Sequence, residues 1–144
     1  MKIEKTRYSD HIGYQDERGH MDSDFGYPSY QGRFREGIIT ITQLLKQADY
    51  RTIMLGKWHL GHENKYVPLA RGFDRMYGIQ KGGGVYFYPR IGCDRQVYLN
   101  DQQVIPDSSW YSTDAFTDYA IQFAEEAIND KKPFFMYLAY IAPH

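Results

Sequence analysis

Two short apolar runs separated by an amphipathic helix constrain the fold of this 144-residue chain more than any other feature. The first run covers residues 52–55 and ends at Gly56, and the second begins at Phe134 and ends at Ala142. Between them, apolar residues recur at helical spacing over residues 112–129. Each run is typical of a buried strand and is too short to cross a bilayer. We therefore predict an α/β fold with a mostly parallel sheet and a right-handed crossover between these two strands.

The chain divides by composition into two parts. Residues 1–37 are polar and interrupted by frequent glycines, which favours a loop-rich leader over regular structure. Residues 38–144 hold the predicted helices and strands and form the α/β part. Because the chain ends one residue after Pro143, at the tip of a predicted strand, we expect a single domain that is truncated at its carboxyl end.

Weaker patterns predict a further helix, an irregular segment and a hairpin. Thr40 is a suitable N-cap for a helix whose apolar positions, from Ile41 to Ala48, follow helical spacing. Residues 71–78 have no clear period and are interpreted as irregular chain. Residues 95–105 are typical of a hairpin that turns at Asn100-Asp101. For the long helix, Ser112 or Thr113 is the predicted N-cap.

Charge and composition exclude several classes of function. The formal net charge of −1, with no block of lysine and arginine, argues against nucleic-acid binding and against an anionic membrane surface. Cys93 is the only cysteine, so an internal disulfide is impossible. Aromatic residues make up 17% of the chain, including 14 tyrosines. We interpret most of them as packing residues. For Tyr86-Phe87-Tyr88, core or loop packing is the favoured interpretation, and a platform for a sugar is the alternative.

The segment Gly56-Lys57-Trp58-His59-Leu60-Gly61 is the strongest candidate for a functional site. It places a cation and an imidazole directly after a predicted strand, where ligands of open α/β sheets collect. If the two apolar strands are parallel, Lys57, His59 and His144 all lie at the same edge of the sheet. A metal site at His59 and His62 is the weaker interpretation, because no third ligand follows at a sequence spacing typical of metal sites.

These motifs closely resemble the sulfatase family of the alkaline phosphatase superfamily. The resemblance spans residues 6–144 and has two specific cores, around Lys57 and before His144. The resembling segments are residues 6–8, 42–46, 50–52, 56–61, 71–74, 111–114, 116–118, 132–140 and 142–144. The resemblance implies part of an alkaline-phosphatase-like sandwich, with a mostly parallel central sheet flanked by helices.

The resemblance also implies a reaction and a role for three residues. The family hydrolyses sulfate esters with a formylglycine made from a Cys/Ser-x-Pro-x-Arg motif, beside a calcium ion held by Asp and Asn. By motif, Lys57 would neutralise the sulfate and the nucleophile, and His59 would hold the hydrated aldehyde. His144 would contact the sulfate oxygens and assist departure of the alcohol. Lys57, His59 and His144 are therefore the expected catalytic residues, and Lys57 and His144 also the substrate-binding ones.

The sequence departs from the family at the nucleophile and at the metal. Met1 to Lys5 stand where the nucleophile motif is expected, and Cys93 lacks the proline and the spacing to replace it. The paired aspartates, the Asp-Asn pair and the second lysine of the family are absent too. We therefore expect no metal or cofactor within this chain, calcium and formylglycine belonging to the full-length family. The leading hypothesis that the resemblance implies is a fragment of one sulfatase catalytic domain, truncated at both ends and inactive alone.

Two alternatives stay open at this stage. One is a non-catalytic binder of sulfate or of a sulfated carbohydrate, and the other is a phosphonate or phosphodiester hydrolase of the same superfamily. The expected partner is a sulfate ester, and an exposed sheet edge predicts self-association. Residues 1–5 do not form a secretory signal, so localisation is open, although family members are often periplasmic, secreted or lysosomal.

Overall fold

The computed structural model describes residues 32–35, 37–81, 84–88 and 95–143. Its helices are α1 (Ile41–Gln47) and α2 (Ser112–Asn129), with a short 3-10 helix at Leu69–Arg71. Its strands are β1 (Arg51–Lys57), β2 (Arg75–Ile79), β3 (Val97–Leu99), β4 (Gln102–Val104) and β5 (Phe134–Ala139). Within the described residues, the strands form one sheet in the order β4-β3-β2-β1-β5.

The sheet is mostly parallel, as predicted. Strand β1 pairs in parallel with β2 on one side and with β5 on the other. Strands β3 and β4 are successively antiparallel, so only β3 runs against the common direction. The predicted hairpin is confirmed, and Asn100 in its turn has a φ of 57°. These features confirm the α/β class.

The core lies on both faces of β1, because successive side chains of the strand point to opposite faces of the sheet. On the α2 side, Ile53 and Leu55 pack with Phe116 and Phe123. On the opposite side, Met54 joins a smaller cluster; its other buried members are Trp58, Phe73 and Met76. Because both faces are covered, residues 52–56 of β1 are completely or nearly completely buried. No helix among the described residues is long and apolar enough to span a membrane.

Four sequence predictions are wrong in detail. Residues 71–78 are not irregular, because strand β2 begins at Arg75; it is short and buried, and so has no alternating pattern. Strand β5 is not a buried strand, since it lies at the edge of the described sheet with Phe134 and Tyr137 exposed. Helix α2 has the predicted bounds, but its N-cap is Tyr111 and not Ser112 or Thr113. Finally, the apolar positions of α1 do not form a core face, because Ile41 and Leu44 are exposed in the described structure.

A polar network ties the amino-terminal end of β1 to the residues before β2. The Asp74 carboxylate accepts hydrogen bonds from the Thr52 N–H at 3.0 Å and the Thr52 hydroxyl at 3.1 Å. Lys46 of α1 pairs with the same carboxylate at 2.7 Å. Gly72, with a φ of 97°, packs so closely on Gln43 that a Cβ there would lie 2.9 Å from the Gln43 N atom. The segment Arg71-Gly72-Phe73-Asp74 therefore joins α1, β1 and β2.

Candidate active site

The candidate site begins where β1 ends, at the carboxyl edge of the sheet. Lys57 is the last residue of β1, is half-buried and pairs in register with Ile79. Gly56 before it has a φ of 94°, and a Cβ there would overlap the Ala139 carbonyl of β5. Gly56 thus allows β5 to approach closely just below Lys57. The two glycines of adjacent strands, Gly56 and Gly78, lie directly beside each other.

Trp58 anchors the start of the loop that follows. Its backbone N–H donates to the Ile79 carbonyl at 2.9 Å, and its indole Nε1 donates to the Tyr66 carbonyl at 2.9 Å. The indole ring also meets Phe34 and Phe73, at centroid distances of 5.9 and 5.8 Å. Trp58 is buried, so it serves as the predicted packing anchor and holds Lys57 and His59 on either side of it.

His59 has a left-handed backbone, with a φ of 84°. Its N–H donates to the Gln80 carbonyl at 3.4 Å, which keeps the loop alongside the residue after β2. A non-glycine residue in this region is strained by about 1–3 kcal/mol, and such strain clusters at functional sites. The Nε2 atom of His59 is buried, although the residue as a whole is only half-buried.

Further cations lie beside this loop. Gly61, with a φ of 106°, is enclosed by Tyr66 and Arg33; a Cβ on Gly61 would lie 2.6 Å from the Tyr66 Cβ. The Arg33 guanidinium carbon and the Lys65 ammonium lie 5.4 and 5.1 Å from the centre of the Tyr66 ring. The two cations therefore lie over the Tyr66 ring, beside the loop that follows β1. Arg33 was not predicted, because it falls in the polar leader and only the folded chain brings it here.

The position of the third predicted residue, His144, lies outside the described residues. Strand β5 runs parallel to β1, with Ala139 beside Gly56. The described chain then continues past the carboxyl edge as far as Pro143. The structure therefore brings Lys57 and His59 to one edge, and the placement of His144 there stays a prediction.

A metal site is not seen among the described residues of this edge. Among residues 32–35, 37–81, 84–88 and 95–143, no group of three or more His, Cys, Asp or Glu side chains could hold a metal ion. His59 and His62 therefore have no third His, Cys, Asp or Glu ligand among the described residues. Cys93 lies outside the described residues. The arrangement can bind an oxyanion and move a proton, and no step of metal chemistry follows from it.

Comparisons with known proteins agree with this geometry. A family model described as Sulfatase matches residues 6–144. Arylsulfatase J of Mus musculus is 40% identical over 114 residues, which cover 73% of this chain and 19% of that protein. The structure of Ps i-CgsB in complex with k-i-k-neocarrahexaose matches with a TM-score of 0.65 and 37% identity, covering 72% of this chain and 26% of that one.

A second solved structure is BT4656 in complex with its substrate D-glucosamine-2-N,6-O-disulfate. It matches with a TM-score of 0.61 and 33% identity, covering 78% of this chain and 20% of that one. The chain thus spans about a fifth to a quarter of the length of these three relatives.

Proposed function

Because the chain belongs to the sulfatase family, we propose that the carboxyl edge of its sheet binds the sulfate group of a sulfate ester. The observation that carries this proposal is the fixed placement of Lys57 and His59 on the two sides of a buried Trp58. An ammonium group carried by the end of a buried interior strand suits an oxyanion, since the backbone that carries it needs no ordering on binding and only the lysine side chain does.

Each residue has a separate task in this proposal. The Lys57 ammonium donates charge-assisted hydrogen bonds to sulfate oxygens. The His59 imidazole holds or transfers a proton at its buried Nε2 atom. His144 contacts the sulfate oxygens from the end of the segment that follows β5, and helps the alcohol to leave in the complete enzyme.

We further propose that these 144 residues bind a sulfate ester without turning it over. The sequence has six prolines, and none has a cysteine or serine two residues before it, so no Cys/Ser-x-Pro-x-Arg motif is present. Hydrolysis by the family's route needs that nucleophile. The substrate class that the relatives favour is a sulfated carbohydrate, because BT4656 takes D-glucosamine-2-N,6-O-disulfate as its substrate.

Calorimetric titration of the chain with inorganic sulfate and with p-nitrophenyl sulfate tests the site. We expect Lys57→Met to weaken both ligands about 10- to 100-fold, since a hydrogen bond to a charged group contributes about 1.5–3 kcal/mol. Lys131→Met, at an exposed position after α2, is the matched control and should change neither affinity. Equal effects of the two variants would refute the site, and calcium-dependent release of p-nitrophenol would refute the lack of turnover.

Strand β5 supports a proposal about assembly. It forms one edge of the described sheet, and Tyr137 and Phe134 on it are exposed apolar residues. Edge strands with exposed apolar side chains pair readily with other chains. We propose that the chain associates with itself through β5. Analytical ultracentrifugation should show oligomers that Tyr137→Lys shifts toward monomer, whereas Ile121→Lys, at an exposed position of α2, should not.

A further inference from the structure

Phe87 and Tyr111 form an aromatic pair at the surface. The two rings stack with their centroids 5.3 Å apart and their planes at 28°. The Phe87 side chain is 70% exposed, so its free face is open to solvent while Tyr111 supports the other. Hydrophobic residues scattered singly over a surface need no explanation, but a large exposed ring backed by a second ring makes an apolar patch that a ligand can cover.

The pair is held by the backbone rather than by burial. Phe87 and Tyr111 form an isolated antiparallel bridge. Next to it, the N–H of the buried Ser112 donates to the Tyr86 carbonyl at 2.7 Å. Tyr111 is also the N-cap of α2, so the pair is attached to the first turn of the longest helix. A platform fixed in this way loses little conformational freedom when a ligand binds.

The platform lies on the same edge of the sheet as Lys57. Helix α2 ends at Asn129 and β5 begins at Phe134, so the amino end of α2 returns to the carboxyl end of β5. Two contacts support this placement. The hydroxyl of Thr117, in α2, lies 2.7 Å from the hydroxyl of Tyr140, just after β5. A Cβ on Gly84, near Phe87, would lie 2.6 Å from the Ile141 Cδ1 atom. Ala139, at the end of β5, is the register neighbour of Gly56.

We propose that Phe87 and Tyr111 bind a sugar ring of the substrate, beside the edge that holds its sulfate group. This proposal rests on the proposed sulfate site and adds the part of the substrate that carries the sulfate. The C–H groups on one face of a pyranose ring pack on an aromatic ring while its hydroxyl groups stay in water. An open, one-sided platform suits such a ring, whereas an aryl group is better buried in an enclosed apolar pocket.

Titration of the chain with sulfated galactose and glucosamine oligosaccharides, and separately with inorganic sulfate, tests the platform. We expect Phe87→Ala to weaken the best-binding oligosaccharide about 5-fold and to leave the affinity for inorganic sulfate unchanged. Phe87→Tyr keeps the ring and should restore the oligosaccharide affinity. Ile128→Ala, at a residue that is 63% exposed in the last turn of α2, at the opposite end of the helix from Tyr111, is the control and should have no effect.

Several results would overturn the platform. They are an unchanged oligosaccharide affinity in Phe87→Ala, an equal loss for inorganic sulfate, and the absence of any oligosaccharide that binds more tightly than inorganic sulfate. An equal loss for p-nitrophenyl sulfate would make it an aryl site instead. The proposed sulfate site fails separately: oligosaccharide binding that depends on Phe87 but not on Lys57 would refute that site and leave the platform standing.

Discussion

Replacing Asp74 with alanine should destabilise the chain without touching the sulfate site. The Asp74 carboxylate accepts two hydrogen bonds from Thr52, which is completely buried, and pairs with Lys46 at 2.7 Å. The Lys46 side chain is half-exposed, so that ion pair contributes about 0–1 kcal/mol. Losing the acceptor for the buried Thr52 N–H costs about 1–3 kcal/mol, because the group cannot reach water. We expect a loss of about 1–4 kcal/mol in total.

Urea denaturation followed by circular dichroism measures this loss, with Lys46→Ala as the matched control. Lys46→Ala removes only the ion pair and should lower the free energy of unfolding by about 1 kcal/mol or less. The affinity of Asp74→Ala for inorganic sulfate should match that of the unaltered chain. Equal effects of the two variants on stability, or a selective loss of sulfate binding in Asp74→Ala, would refute the assignment of Asp74 to structure.

Three further predictions concern acid stability and two backbone positions. Burial alone would raise the pKa of the Asp74 carboxyl, but hydrogen bonds from Lys46 and Thr52 outweigh it and lower the pKa. The stability that Asp74 contributes should therefore be present above about pH 4 and be lost as the pH falls through the lowered pKa. Urea midpoints measured against pH should show this loss in the unaltered chain and a smaller loss in Asp74→Asn. The free energy of unfolding of His59→Gly should be about 0.5–1 kcal/mol higher than that of His59→Ala, because glycine relieves the strain of a left-handed backbone at a φ of 84°. Lys131→Gly, at a φ of 55°, should likewise be more stable than Lys131→Ala. A His59→Gly variant less stable than His59→Ala would contradict this prediction. Gly56→Ala should lower the free energy of unfolding by about 4 kcal/mol, because the new Cβ would overlap the Ala139 carbonyl. Gly37→Ala, with open space around it, should lower it by only about 1 kcal/mol. Similar thermal midpoints for the two variants would refute the close approach of β1 and β5.

The fold could be predicted where the sequence has a long periodic pattern or a pattern that ends at a recognisable turn. Helix α2 shows one apolar face over 18 residues, and its predicted extent, residues 112–129, matches the structure. The hairpin was predicted from its turn, and Asn100 does adopt the left-handed backbone that such a turn needs. Strand β2 was missed because its five residues are almost all buried, which removes the alternation that marks a strand.

The site could be predicted only as far as it lies on one continuous segment. Lys57 and His59 follow a strand directly, so their position at the carboxyl edge follows from the strand itself. The proximity of Arg33 to Gly61, and of the Phe87–Tyr111 platform to the same edge, depends on contacts between residues far apart in sequence. No local pattern encodes those contacts. The exposure of Phe87 excludes core packing for this residue, whereas Tyr86 beside it does pack against the core.

The register of the sheet separates two motifs that look alike in sequence. The segments Gly56-Lys57-Trp58-His59-Leu60-Gly61 and Arg71-Gly72-Phe73-Asp74 each combine glycine, an aromatic residue and charge. The first follows the carboxyl end of β1, where side chains can meet a ligand. The second comes before β2, and its aspartate binds Thr52 at the amino end of β1. Since parallel strands place their beginnings and ends on opposite edges, loss of the Asp74 side chain in the second motif should alter stability, whereas loss of the Lys57 ammonium in the first should alter sulfate binding.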